Sequence, residues 1–128
     1  MIKNQRNKDG NQHGYWEDYY SNGNIKHKAN YKDGKRHGYW EYYYTNGELS
    51  SKANYKDGKR HGYWEYYHHN GKLDYGGNYV NDKQHGQWES YDSMGNNWCK
   101  ANYKDGKRHG YWEDYYRLGK KVIKQFYV

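Results

Sequence analysis

The amino-acid sequence predicts an all-β protein, an elongated antiparallel β-meander of repeated β-hairpins with about ten short strands. Three observations carry that expectation. The segment from Tyr31 to Glu41 recurs at Tyr55 and Tyr103, with looser copies from Asn7 and Tyr79, so the chain repeats every 24 residues. A short fixed period means one small unit stacked on itself, each unit touching only its neighbours. Runs of Tyr and Trp mark the strands, and Asn-Gly and Asp-Gly dipeptides punctuate them. Proline is absent, which suits an uninterrupted hydrogen-bonded ladder.

Taken in order, residues 1–6 form an N-terminal cap. Five repeats occupy 7–30, 31–54, 55–78, 79–102 and 103–126, and residues 127–128 open a truncated sixth. In the second repeat Tyr39–Tyr44 is a run of β-formers, Thr45-Asn46-Gly47 turns the chain, and Glu48–Tyr55 returns. Lys56-Asp57-Gly58-Lys59 then makes the turn into the next repeat. Both dipeptides tolerate the positive φ that a two-residue hairpin turn requires at its centre.

Several columns are identical in every repeat. They are His13, His37, His61, His85 and His109; Trp16, Trp40, Trp64, Trp88 and Trp112; Tyr19, Tyr43, Tyr67, Tyr91 and Tyr115; and the Glu that follows each Trp. Trp and Tyr are three apart, so a regular strand sends them to opposite faces. Aromatics on both faces, one more enclosed than the other, is the favoured arrangement; a bulge at the His-Gly step is the alternative.

Composition supports a thin structure. Ile, Leu and Val are scarce, and 20 Tyr, 6 Trp and one Phe must supply the buried apolar area. Aromatic side chains bury ~150–250 Å² each, enough to hold such a structure without a thick two-layer core. Disordered chains are poor in aromatics and keep no such period. No apolar run is long enough to span a membrane, and no signal-peptide core follows Met1. The single Cys99 calls for no oxidising compartment. A cytoplasmic setting is expected, membrane-peripheral or, in a virus, virion-associated as variants.

These residues resemble the MORN repeat in its variant form, Gly-Lys-x-His-Gly-x-Trp-x-x-Tyr-x-x-Asn-Gly. Here the pattern reads Gly34, Lys35, His37, Gly38, Trp40, Tyr43, Asn46 and Gly47, and it covers residues 7 to 126. The resemblance implies an elongated meander of hairpins serving as an interaction or scaffold module. Phospholipid binding is proposed for several members, and some bacterial arrays are antitoxin-like. The chain departs from the common form in carrying Trp where the standard motif has its second Gly.

Candidate sites follow from the repeat. The basic turns Lys32, Lys35, Arg36; Lys56, Lys59, Arg60; and Lys104, Lys107, Arg108 fall at one point of each hairpin. With a net charge of +7 they predict a positive stripe able to attract anionic lipid or nucleic-acid phosphates. The stripe is broken by Asn11-Gln12 and by Gln84. The fourth repeat departs furthest, and Met94, Trp98 and Cys99 are candidate partner contacts. Val122, Ile123, Phe126 and Val128 make the only aliphatic-rich stretch, a last strand suited to edge-to-edge assembly through 121–128.

Other readings are weaker. The His column spaces side chains ~9–10 Å apart, too far to converge on one metal ion; each His is expected to close a turn or stack on the next Trp. The Glu column offers no pair of carboxylates in differing environments, so acid–base catalysis has no basis. Each Glu is expected to pair with a cross-strand Lys or Arg. Aromatics interleaved with cations also suit single-stranded nucleic acid, but here the core needs those aromatics. The sequence therefore predicts a non-enzymatic module without metal, cofactor or small-molecule substrate. Its expected partner is a protein or a second copy, with an anionic membrane surface as the alternative.

Overall fold

The computed structural model describes residues 2–116 and 120–128, with side chains outside 115–124. The side chains of Tyr115, Val122 and Ile123 thus lie outside the described residues. The strands are β1 (Gln5–Arg6), β2 (Gln12–Tyr19), β3 (Ile25–Lys32), β4 (Lys35–Arg36), β5 (Gly38–Tyr43), β6 (Leu49–Lys56) and β7 (Lys59–Arg60). They continue with β8 (Gly62–Tyr67), β9 (Leu73–Val80), β10 (Lys83–Tyr91), β11 (Asn97–Lys104), β12 (Lys107–Arg108), β13 (Gly110–Tyr116) and β14 (Lys120–Tyr127). One open antiparallel sheet runs β1-β2-β3-β5-β6-β8-β9-β10-β11-β13-β14. This is the meander of hairpins that the repeat predicts.

The short segments β4, β7 and β12 fold onto β3, β6 and β11, because the chain leaves the ladder at each His-Gly step. Between β3 and the stretch from β4 to β5, the three steps from Lys28 to Tyr31 face five steps from Arg36 to Glu41. The surplus is a bulge, with Gly38 at φ 86° where a side chain would be strained. Asn30 fills it. Its Nδ2 donates to Tyr39 O at 2.7 Å, and its own carbonyl accepts from His37 N and Trp40 Nε1, both at 2.9 Å. Asn54 and Asn102 do the same for Tyr63, His61, Trp64 and for Tyr111, His109, Trp112.

The two turn types differ. Asp33-Gly34, Asp57-Gly58 and Asp105-Gly106 have positive φ at both residues, the two-residue turn predicted for them. The Asn-Gly turns are not of that kind. Gly23 has φ 90° while Asn22 does not enter the left-handed region; Gly23 N bonds Tyr20 O, and Tyr20 N bonds Asn24 O. This is a three-residue loop ending in a glycine bulge. The Asn22 side chain selects it, accepting from Asn24 N and donating to Thr45 O in the next repeat.

Aromatics occupy both faces, and one face is far more enclosed. On the front, Trp40 is 1% exposed and meets Tyr31 and Tyr55 edge-to-face at 5.1 and 5.3 Å. Trp16, Trp64 and Trp88 repeat this burial, above a floor of Ala29, Ala53, Gly77 and Ala101. On the back lie Tyr15, Glu17 and Tyr19 and their counterparts. The buried core is therefore a single layer of rings on one side of the sheet.

Candidate functional site

The front face carries a broad concavity. A cavity of about 690 Å³ spans the first three repeats, lined by Tyr42, Tyr55, Tyr66 and Tyr75 with Ser51, His27 and Asp74 among its polar groups. Tyr42 and Tyr55 share a hydrogen bond of 2.8 Å between hydroxyls, and Tyr66 stacks on Tyr75 at 4.3 Å. Burial raises the pKa of Tyr42, Tyr66 and Tyr75, so all three are neutral hydroxyls near pH 7. The trough is an aromatic surface with hydroxyl groups at its tips, and Lys26 and Asp74 also line it. The sequence reading did not single out Tyr42, Tyr66 or Tyr75. Their signal was available: each lies an even number of residues from a Trp or Tyr on the enclosed face.

The basic turns separate into two kinds of residue. The arginines turn inward over the front rings. Arg36 lies 5.1 Å from the Trp40 ring and donates to Tyr55 Oη at 3.1 Å; Arg60 covers Tyr79 at 4.4 Å, and Arg108 covers Trp112 at 4.3 Å. Arg60 also pairs with Asp82 at 3.2 Å, and that contact with the Arg60 amide and guanidinium lowers the Asp82 pKa. Such cation–π contacts stabilise by ~0.5–1 kcal/mol at exposed sites. The lysines remain outside. Lys32 faces Lys35, Lys56 faces Lys59 and Lys104 faces Lys107 across the two-residue turns, all exposed and without an ion pair among the described residues. The lysines and arginines of each turn thus have different surroundings, with Arg36 and Arg108 still exposed.

Each turn is tied to the repeat before it. Asp33 N donates to His13 Nδ1 at 3.2 Å and Asp57 N to His37 Nδ1 at 3.4 Å, while Gly34 N and Gly58 N bond Gln12 O and Arg36 O at 2.8 Å. The side chains of His13, His37 and His61 therefore close turns, in the neighbouring repeat rather than in their own. No group of three His, Cys, Asp or Glu among the described residues could hold a metal ion. The Glu column faces lysines across the strands, as with Lys28 and Glu41 at 3.8 Å, and also accepts from tyrosines two residues away. Tyr39 and Tyr43 donate to Glu41 at 3.0 and 2.8 Å. The Lys3 ammonium donates to Glu17 at 2.8 Å and lowers its pKa, fixing the N-terminal segment to β2.

In the fourth repeat Met94 is exposed, and Trp98, 48% exposed, borders a second front cavity of about 320 Å³ beside Trp88 and Trp112. Cys99 departs from its expected role as a partner contact. It is 6% exposed, facing Asp114 within the core layer, and burial pushes its thiol pKa up to about 11. At the C-terminus β14 pairs along β13 and forms one end of the sheet. Phe126 is 60% exposed on the back face, packed on Tyr111 at 4.8 Å, and Val128 is fully exposed.

A chain built this way has a family. The MORN repeat variant matches residues 12–33, 36–57 and 60–81, just over half the sequence, and the protein belongs to that family. Repeats of this kind are generally non-enzymatic and often serve protein or membrane-lipid interaction. No curated protein matches the chain. Among the described residues no helix is long and apolar enough to cross a membrane.

Proposed function

We propose that the protein is a non-enzymatic interaction module whose front trough docks a protein partner. The observation that carries this reading is the trough itself: half-buried tyrosines from three successive repeats, locked by their own ring contacts, around about 690 Å³ of concave surface. Rigid aromatics with polar tips give large contact area at low entropic cost, which is why they dominate binding hot spots. The column histidines His13, His37 and His61 bond the turns of neighbouring repeats, and Glu41 accepts from two tyrosine hydroxyls.

The lysine pairs favour a second reading, recruitment to an anionic membrane along the turn edge. Salt separates the two. Charge-driven vesicle binding weakens steeply between 0.15 M and 1 M salt, where the Debye length falls from about 8 to about 3 Å. Association through the trough survives at 1 M salt and is lost in Tyr66→Ala. Binding confined to phosphatidylserine vesicles, abolished by salt and indifferent to Tyr66→Ala, would replace the first reading with the second.

A further inference from the structure

On the back face Glu and Lys alternate from strand to strand. Glu17 faces Lys28, Lys28 faces Glu41, Glu41 faces Lys52, and Lys52 faces Glu65. There the order breaks. Glu65 and Glu89 both face Gly76, after which Glu89 faces Lys100. Two carboxylates therefore flank a residue with no side chain, on a surface that elsewhere sets an ammonium between them.

The other repeats show how this surface holds an ammonium. Lys3 Nζ donates to Glu17 Oε1 at 2.8 Å and to Tyr19 Oη at 3.0 Å, and lies 5.4 Å from the Tyr19 ring centroid. Lys28 Nζ sits 3.8 Å from Glu41 Oε1 and 5.6 Å from the Tyr43 centroid, and Lys52 Nζ is 5.9 Å from that of Tyr67. Each time the ammonium meets a Tyr ring, and in the first two a Glu two residues before it. Glu89 and Tyr91 are the same pair in the fourth repeat.

Beside Gly76 the surface opens into a cavity of about 270 Å³ lined by Tyr63, Leu73, Gly76, Gln87, Glu89 and Tyr91. Gln87 Nε2 at 2.7 Å and the Tyr91 hydroxyl hold the Glu89 carboxylate, which has no ion-pair partner among the described residues. Tyr15 and Tyr39 donate to the Glu of their own repeat; the Tyr63 hydroxyl instead leans over Gly76, 3.2 Å from where a Cβ would stand. That Cβ would also lie 2.9 Å from Trp64 O, so residue 76 cannot carry the ammonium itself.

We propose that the Gly76 cavity binds a primary alkylammonium group. Glu89 takes the charge, Tyr91 supplies the ring face, Tyr63 Oη accepts an N–H, and Leu73 covers the methylenes. The proposal extends the interaction-module reading by naming the chemistry of one contact, yet its probe needs no protein partner. Failure here leaves trough docking standing, and failure of docking leaves this site standing.

The test is a titration of the isotope-labelled full chain, followed at the Gly76 and Gly77 amides by nuclear magnetic resonance. n-Butylammonium should give saturating shifts with a dissociation constant on the order of millimolar, as expected for so small a ligand. Neutral n-pentanol should give none. Glu89→Gln should weaken binding about tenfold, a loss of ~1.4 kcal/mol. Glu41→Gln, at the site served by Lys28, should leave it unchanged. Two further probes identify the source: tighter binding of a lysine peptide assigns the site to a partner's side chain, and tighter binding of spermidine to a free polyamine. Shifts that do not saturate, that pentanol reproduces, or that persist in folded Glu89→Gln would overturn the proposal.

Discussion

Gly77→Ala would install the residue that Ala29, Ala53 and Ala101 supply at the same point of the other repeats, and it should destabilise the protein. A Cβ on Gly77 would stand 2.5 Å from Trp88 Cε2 and nearer still to Cγ and Cδ2. Ordinary carbon contacts are ~3.5–4.0 Å, so the indole must retreat by roughly 1 Å. Gly77 does not have a left-handed φ, so alanine there gains ~0.4–1 kcal/mol through the unfolded state. Against that, overpacking costs ~1–3 kcal/mol. The displaced ring also loosens the Trp88 Nε1 bond to Asn78 O (3.0 Å) and the edge contact with Tyr79 (5.0 Å). Those contacts contribute ~1 and ~0.5–1.5 kcal/mol when fully made. The net expectation is a loss of ~1–2 kcal/mol. With a urea slope of ~2 kcal/mol/M, the midpoint should fall by ~0.5–1 M at unchanged slope. Tryptophan fluorescence follows the transition. A Gly77→Ala protein as stable as the parent or more so would refute the close seating of Trp88.

Other consequences are equally direct. Asn54→Ala should cost ~1–2 kcal/mol by leaving the Tyr63 carbonyl without its 2.8 Å bond. Thermal unfolding gives the magnitude, and hydrogen exchange should show faster opening only in the adjoining hairpins. Trp40→Phe should cost ~1 kcal/mol for the lost indole N–H bond to Asn30 O, whereas Trp40→Ala should cost ~3–5 kcal/mol; equal losses in denaturant titrations would contradict the contact assignment. Alkaline pH should unfold the sheet. Burial, then bonding to glutamate, pushes the Tyr15 and Tyr43 hydroxyls up to about 12, and bonding to Glu89, then burial, does the same for Tyr91. A folded pKa above the unfolded value favours the neutral form. Stability should thus hold below the unfolded tyrosine value of ~10 and be lost as pH rises through the folded values. Ionisation of Tyr15, Tyr43 and Tyr91 themselves near pH 10, followed by nuclear magnetic resonance while the fold persists, would contradict this.

The period, the hairpins and the identical Trp column made the meander legible, because a repeated unit with a Trp at the same point of every 24 residues has few other ways to bury it. The two-faced placement of Trp and Tyr followed from strand parity. The Asn-Gly loop did not, since the Asn22 side chain bonds forward into the next repeat, a contact no local turn rule contains. The role of Asn30 was hidden for a similar reason: it completes a bulge whose size only the register reveals. Among the cations, sequence placed Lys35 and Arg36 together at the turn. Strand alternation separates them, setting Arg36 over the front rings and Lys35 opposite Lys32. Gly76 read as one more glycine until cross-strand pairing put it between two glutamates.

The most direct test of the account replaces Tyr66 in the front trough, and separately exposed Tyr39 on the back face, with a photoreactive amino acid in the full chain. Irradiation in extract of the source cell at 1 M salt should yield a discrete protein adduct from position 66 and none from position 39. Adducts from position 39 alone, or from neither position at any salt, would contradict the claim that the front trough is the docking surface.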